Sequence, residues 1–103
     1  MYISRLYFRS SPGKTSALEH ELKDLSEMAA KAGGKSCKIL RTHFASPGSP
    51  DVVFEQEASD LASLENQINK VRATSEFQKW SEQTSLLLKH SPQREVYLVV
   101  EAK

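Results

Sequence analysis

Between Tyr2 and Arg9 the chain alternates, with Leu6 and Phe8 on one parity and Arg5, Tyr7 and Arg9 on the other. Successive side chains of a strand point to opposite faces of its sheet, so this segment predicts a strand that is apolar on one side and charged on the other. Arg41 and His43 repeat the pattern within Cys37 to Phe44, and Glu55 and Glu57 repeat it within Val52 to Ala58. Together these segments predict a sheet whose apolar face must be covered by helices. The opposite face carries both signs of charge and is expected to be wet or paired across an interface.

Helices to cover the apolar face are present in the pattern. Ser10, Ser11, Pro12 and Gly13 end the first alternation. Leu18, Leu22, Leu25, Ala29 and Ala32 then recur at steps of four and three, the stripe of an amphipathic helix. Thr15 or Ser16 is the expected cap, with Glu19 completing a capping box after Ser16. Gly33 and Gly34 end the helix. A second helical region runs from Ser59 to His90 and carries two stripes, one of Leu61, Leu64, Ile68 and Val71 and one of Phe77, Trp80, Thr84, Leu87 and Leu88. At about 100° per residue Trp80 lies roughly 180° from Val71, so one straight helix cannot bury both stripes on the same side. A break near residues 73–76 is expected, with Ser75 and Gln78 as a fresh capping box.

Ala45 to Asp51, rich in Ser, Pro and Gly, reads as the loop of a hairpin between the second and third strands. Centring that hairpin on Gly48 sets Arg41 opposite Glu55 and Thr42 opposite Phe54. Such a pair contributes about 0.2–1 kcal/mol. A last strand, Val96 to Val100, follows Pro92. The order is therefore βαββαβ, a ferredoxin-like α+β fold of one domain over residues 1–103, with a four-stranded antiparallel sheet and helices on one face. Right-handed crossovers put the first strand beside the third and the fourth at the far edge. Arg5, Tyr7 and Arg9 would then neighbour Glu55 and Glu57, joined by Tyr97 and Glu101.

Composition removes several function classes. A net charge of +1, with no basic run, argues against nucleic acid or an anionic membrane as partner. Cys37 is the only cysteine, so neither an internal disulfide nor a cysteine-based zinc site is expected. No apolar run has the length of a membrane span, and the first residues lack a secretory pattern, so a cytoplasmic location is the expectation.

Pro12-Gly13-Lys14 opening the first helix, Val53-Phe54-Glu55 leading to the second, and Ala73-Thr74-Ser75-Glu76-Phe77-Gln78-Lys79-Trp80 carry a resemblance. With these segments the chain resembles the NIPSNAP-like branch of the dimeric α/β-barrel superfamily over nearly its whole length. The resemblance implies a homodimer in which two sheets pack face to face, with the charged face inside a closed barrel. Superfamily members include small oxygenases, haem-degrading enzymes, isomerases and many proteins without an assigned reaction. The haem-degrading members carry their iron-ligating His where this chain has Ser81 and a Trp where it has Val71. Neither position matches, so no haem is expected, nor any other cofactor or metal.

Two groups of candidate site residues follow. On the barrel face are Arg5, Tyr7, Arg41, His43, Glu55 and Tyr97. As a site the arginines could hold a carboxylate or phosphate; as structure they neutralise the glutamates. His43 could act as a base or bond a ligand, or simply line the face. On the helix-facing parity are Ser4, Thr42 and Gln56, polar residues that need partners if buried; with Trp80 they would mark a cleft between sheet and helices. Trp80, with Phe8, Phe44, Phe54 and Phe77, is first of all expected to be core. His43 and Trp80 are the weak candidates for a catalytic role, while His20 reads as solvated and His90 as closing the last helical turn. Lacking a recognisable catalytic set, the chain is read as a homodimeric small-molecule binding or accessory protein of no assignable reaction. The alternative is a cofactor-independent oxygenase or isomerase acting in the cleft; a purely structural interaction protein is a weaker third possibility.

Overall fold

The computed structural model describes residues 1–34 and 37–101. In chain order the elements are β1 (Tyr2–Phe8), α1 (Thr15–Lys31), β2 (Cys37–Arg41), β3 (Val52–Ala58), α2 (Leu61–Arg72), α3 (Ser75–Ser85) and β4 (Gln93–Leu98). The four strands form one antiparallel sheet in the order β2-β3-β1-β4, the ferredoxin-like arrangement expected from the alternation and the crossover rule.

All three helices contribute to the core. Leu18, Leu22, Leu25 and Ala29 of α1 are buried, together with Phe8, Val52 and Phe54 from the sheet. Val71 of α2 and Trp80 of α3 are buried in the same core. One straight helix could not achieve this, and the chain turns at Ala73 and Thr74. Thr74, not Ser75, is the cap: its hydroxyl accepts from the Phe77 N–H at 3.1 Å. Asp60 caps α2 in the same way, accepting from the Ser63 N–H at 2.8 Å. At the end of α1, Gly33 takes a φ of 89°, the left-handed conformation that only glycine adopts without strain.

The hairpin register differs from the symmetric one. Arg41 pairs with Val52, Ile39 with Phe54 and Lys38 with Glu55, three residues away from the pairing centred on Gly48. The loop is held off-centre by its own bonds: the Thr42 N–H donates to Asp51 O at 3.0 Å, and its hydroxyl donates to Pro50 O at 2.5 Å. An odd shift reverses the face of every side chain on a strand. Arg41 is therefore on the helix side, where Nε and Nη2 donate to both carboxylate oxygens of Glu19, Nε at 2.6 Å. Glu19 thus anchors β2 to α1 and forms no capping box; α1 begins after Lys14 without a side-chain cap. His43 and Phe44 lie beyond β2 in the loop, ring against ring at 4.4 Å, and Phe44 is 90% exposed rather than part of the core. β4 starts at Gln93, earlier than expected, and His90 lies beyond the last helix.

The bond from Arg41 holds the Glu19 carboxyl below its ordinary value of 4.5. A depressed carboxyl pKa stabilises the fold above the unfolded value, and that contribution is lost as the pH falls through the folded one. Glu19→Gln is therefore expected to lower the urea midpoint at pH 7, modestly for an exposed pair, with the gap to the parent closing below about pH 4. A gap that persists at pH 2.5 would mean that Glu19 contributes something other than its charge.

Candidate functional site

Alternation along β1, β3 and β4 sorts the sheet's polar residues onto two faces with different states. The face away from the helices holds Lys38 and Glu57 together with Arg5, Tyr7, Glu55, Glu95 and Tyr97, and these last five bond one another. The Arg5 Nε donates to Glu55 at 2.8 Å across β1 and β3. The hydroxyls of Tyr7 and Tyr97 are 2.8 Å apart, and the Tyr97 hydroxyl donates to Glu95 at 2.9 Å. These bonds push the Tyr97 phenol above its usual range, Tyr7 having the larger effect and Glu95 the next. The Arg5 guanidinium also lies over the Tyr97 ring, 5.4 Å from its centre. Arg41 and His43, expected on this face, are not on it.

On the helix side, a cavity of about 380 Å³ opens between the sheet and helices α1 to α3. Its walls are mainly apolar, from Leu6, Phe54, Ile68 and Val71, with the rings of Phe77 and Trp80 stacked at 5.5 Å. The volume and lining are those of a small-ligand pocket. Trp80 is fixed in place, since its indole N–H donates to Glu21 O of α1 at 2.6 Å. Ser81 and Val71, the two positions where the haem-degrading pattern fails, both line this cavity.

Polar groups also line the cavity. Gln56 of β3 lines it and is 6% exposed, and its side-chain Nε2 has no hydrogen-bond partner among the described residues. Ser4 is its cross-strand neighbour on β1 and is 2% exposed. The Ser4 Oγ accepts a 2.5 Å hydrogen bond from Nη1 of Arg94, which also lines the cavity. Arg94 lies on the exposed edge strand β4; partial loss of hydration against the protein, and then the nearby charge of Arg72, lower its pKa. Thr42 is not part of this group, because the loop bond to Pro50 takes its hydroxyl.

Of the sequence-derived cleft residues, Gln56 and Trp80 line the cavity and Ser4 stands behind it, bonded to Arg94. Arg94 was outside the expectation because β4 was begun at Val96. Extending the period of two back from Leu98 through Val96 would have placed Arg94 on the helix-facing parity. Among the described residues no three His, Cys, Asp or Glu side chains come together as metal ligands. Nor is any described helix long and apolar enough to cross a membrane.

An unbonded amide in a core position ordinarily carries a penalty of about 1–3 kcal/mol. Gln56→Met, which keeps the shape and removes the donor, is therefore expected to leave stability unchanged or to raise it by about 1 kcal/mol in urea unfolding. A loss above about 2 kcal/mol would show that the amide is engaged in the free protein.

No family model matches the chain, and no curated protein matches it. Solved structures do. A NIPSNAP domain protein from Burkholderia xenovorans superposes with a TM-score of 0.73 at 15% identity, covering 97% of this chain and 95% of that one. A candidate antibiotic biosynthesis monooxygenase from Nitrosomonas europaea gives a TM-score of 0.70 at 14% identity, covering 98% of this chain and all of the other. The Arabidopsis thaliana protein At3g17210 gives 0.75 at 10% identity, with 100% and 99% covered. The chain therefore has the ferredoxin-like fold of NIPSNAP and antibiotic-biosynthesis-monooxygenase-like proteins along its whole described length.

Proposed function

We propose that this protein binds a small organic molecule in the cavity between sheet and helices, as a single-domain NIPSNAP-like homodimer with a cytoplasmic location. One observation carries the reading: a buried amide donor, Gln56 Nε2, lines an apolar cavity and has no partner within the described protein. Buried donors are nearly always bonded, so a ligand or its bound water is the natural acceptor. The solved structures that share the fold support a small-molecule role without fixing a reaction, since one is a NIPSNAP domain protein described as uncharacterised.

A second reading is a cofactor-independent oxygenase or isomerase. The cavity is open rather than filled by side chains, as this reading requires, and the Nitrosomonas europaea neighbour is named as a candidate monooxygenase. Proton transfer, however, needs a group of suitable pKa within reach. The described lining includes no Asp, Glu, His, Cys or Tyr, and His43 lies in the β2–β3 loop outside it. Binding therefore stands first.

The homodimer reading rests on the uncovered face of the sheet. Ile3, Leu40 and Val53 share that face with Arg5, Lys38, Glu55 and Glu95, so the patch is part apolar and carries both signs. A two-fold interface must be self-complementary, and a face of this kind can meet its own copy with apolar centre on apolar centre and lysine against glutamate.

Both parts are testable. Trp80 is the only tryptophan, so its indole N–H gives one distinct NMR cross-peak beside the cavity. Titration with two-ring aromatic compounds is expected to move that peak and the Gln56 side-chain amide in a saturable way. If both stay unmoved at millimolar concentration, the cavity is not a site for such molecules. Light scattering at micromolar concentration is expected to give twice the 11.6 kDa chain mass, and Val53→Lys to give the single mass. A monomeric parent protein would refute the dimer.

A further inference from the structure

The cavity has a sign as well as a shape. Arg94 and Arg72 both line it, close enough for the charge of one to act on the other, and no carboxylate lines it among the described residues. The described ion pairs are Arg5–Glu55, Lys31–Glu76 and Arg41–Glu19, so neither cavity arginine is in one. Among the described residues Arg94 bonds a neutral hydroxyl, that of Ser4. Arg72 lies in the last turn of α2, where a cation is favourable for the helix alone, so Arg94 and Gln56 carry most of the argument. Two cations lining one cavity with an unbonded amide donor, and with no carboxylate among the described lining residues, suit an anion.

We propose that the cavity selects a small flat aromatic molecule bearing a carboxylate, with the carboxylate held by Arg94 and Gln56 in the field of Arg72 and the ring against Phe77 and Trp80. The inference deepens the cavity-binding reading above and rests on it. A guanidinium presents paired N–H donors in one plane, which match the two oxygens of a carboxylate. The Gln56 Nε2 supplies a further donor at no new cost in desolvation, since it is already buried and unbonded. The remaining wall is mainly apolar, with Gln67 and Ser81 as its polar members and the rings of Phe77 and Trp80 stacked, which suits a planar hydrocarbon body better than a sugar or a peptide. The bound anion would also relieve the repulsion between the two arginines, so charge and hydrogen bonding favour the same occupant.

Calorimetric titration of the full chain with 2-naphthoate and with 2-naphthamide separates charge from shape. The two probes share the ring system and differ in the anionic group. Naphthoate is expected to bind at least about tenfold more tightly, a ratio typical of one charge-assisted contact. Arg94→Met is expected to bring the two affinities within about threefold of each other, mainly by weakening naphthoate. Arg72→Met, on an exposed helical turn and so a safe variant for folding, is expected to reduce the preference in part. Equal affinities in the parent protein would overturn the anion selection while leaving cavity binding intact. Failure of both probes to bind would overturn both readings. A preference that survives Arg94→Met and Arg72→Met together would place the anion elsewhere and refute the assignment.

Discussion

One hydroxyl joins the two halves of the helical layer. The Thr74 Oγ1 donates to the carbonyl of Val71 at 2.8 Å and accepts from the N–H of Phe77 at 3.1 Å. It therefore adds a second bond to the Val71 carbonyl, which also accepts from the Thr74 N–H, and satisfies an amide at the start of α3 that a helix terminus otherwise leaves unpaired. Because the chain turns here, Val71 and Trp80 both face the sheet, although nine residues of continuous helix would set them on opposite sides. The cavity depends on this turn. Ile68 and Val71 line it from one helix and Phe77 and Trp80 from the other, so the space between the helices is a consequence of how they meet.

The same reasoning explains which parts of the fold could be read in advance. From Arg5 to Arg9 apolar and polar residues alternate, and in β3 Phe54 and Ala58 take the parity opposite to Glu55 and Glu57, so the faces are legible and topology brings Arg5 beside Glu55 and Glu57. In β2 they do not alternate: Ile39 and Leu40 are adjacent apolar residues, and either can be given the inner face. Loop symmetry about Gly48 then selects one of the two parities by position alone. Backbone bonding decided otherwise, because Thr42 and Asp51 close the loop and fix Arg41 opposite Val52. With that register Cys37 and Ile39 take the half-buried side, and Arg41 reaches Glu19 on α1. A pattern with two consistent parities cannot select between them until a tertiary partner is known, and that partner was on another element.

The candidate site was legible by half for a related reason. Ser4 and Gln56 stand out in the sequence as polar residues on an apolar parity, and they face each other across β1 and β3. Arg94 belongs to the same parity one strand further on, opposite Leu6, but its neighbours Pro92 and Gln93 look like loop. Strand boundaries are set by pairing with the neighbouring strand, here β1, and not by the composition of the segment alone. Which groups are left unbonded is still less visible. The Ser4 hydroxyl is matched by Arg94 and the Gln56 Nε2 has no partner among the described residues, a difference that no sequence pattern encodes.

The two faces of this sheet therefore invert the first impression given by their residues. The outward face carries the conspicuous charges, yet Arg5 has Glu55 and the Tyr7–Tyr97–Glu95 chain closes on itself, so these groups need nothing further than a copy of the same surface. The inward face looks like core and is the one left incomplete: among the described residues an amide lacks an acceptor and cations lack a carboxylate, around a space that the side chains do not fill. Groups that already hold partners are largely spent on each other, whereas a buried donor without one keeps its capacity to bind. Recognition in this molecule is for that reason to be sought where the polarity is sparse and unsatisfied, between Gln56 and Arg94, and not where it is dense.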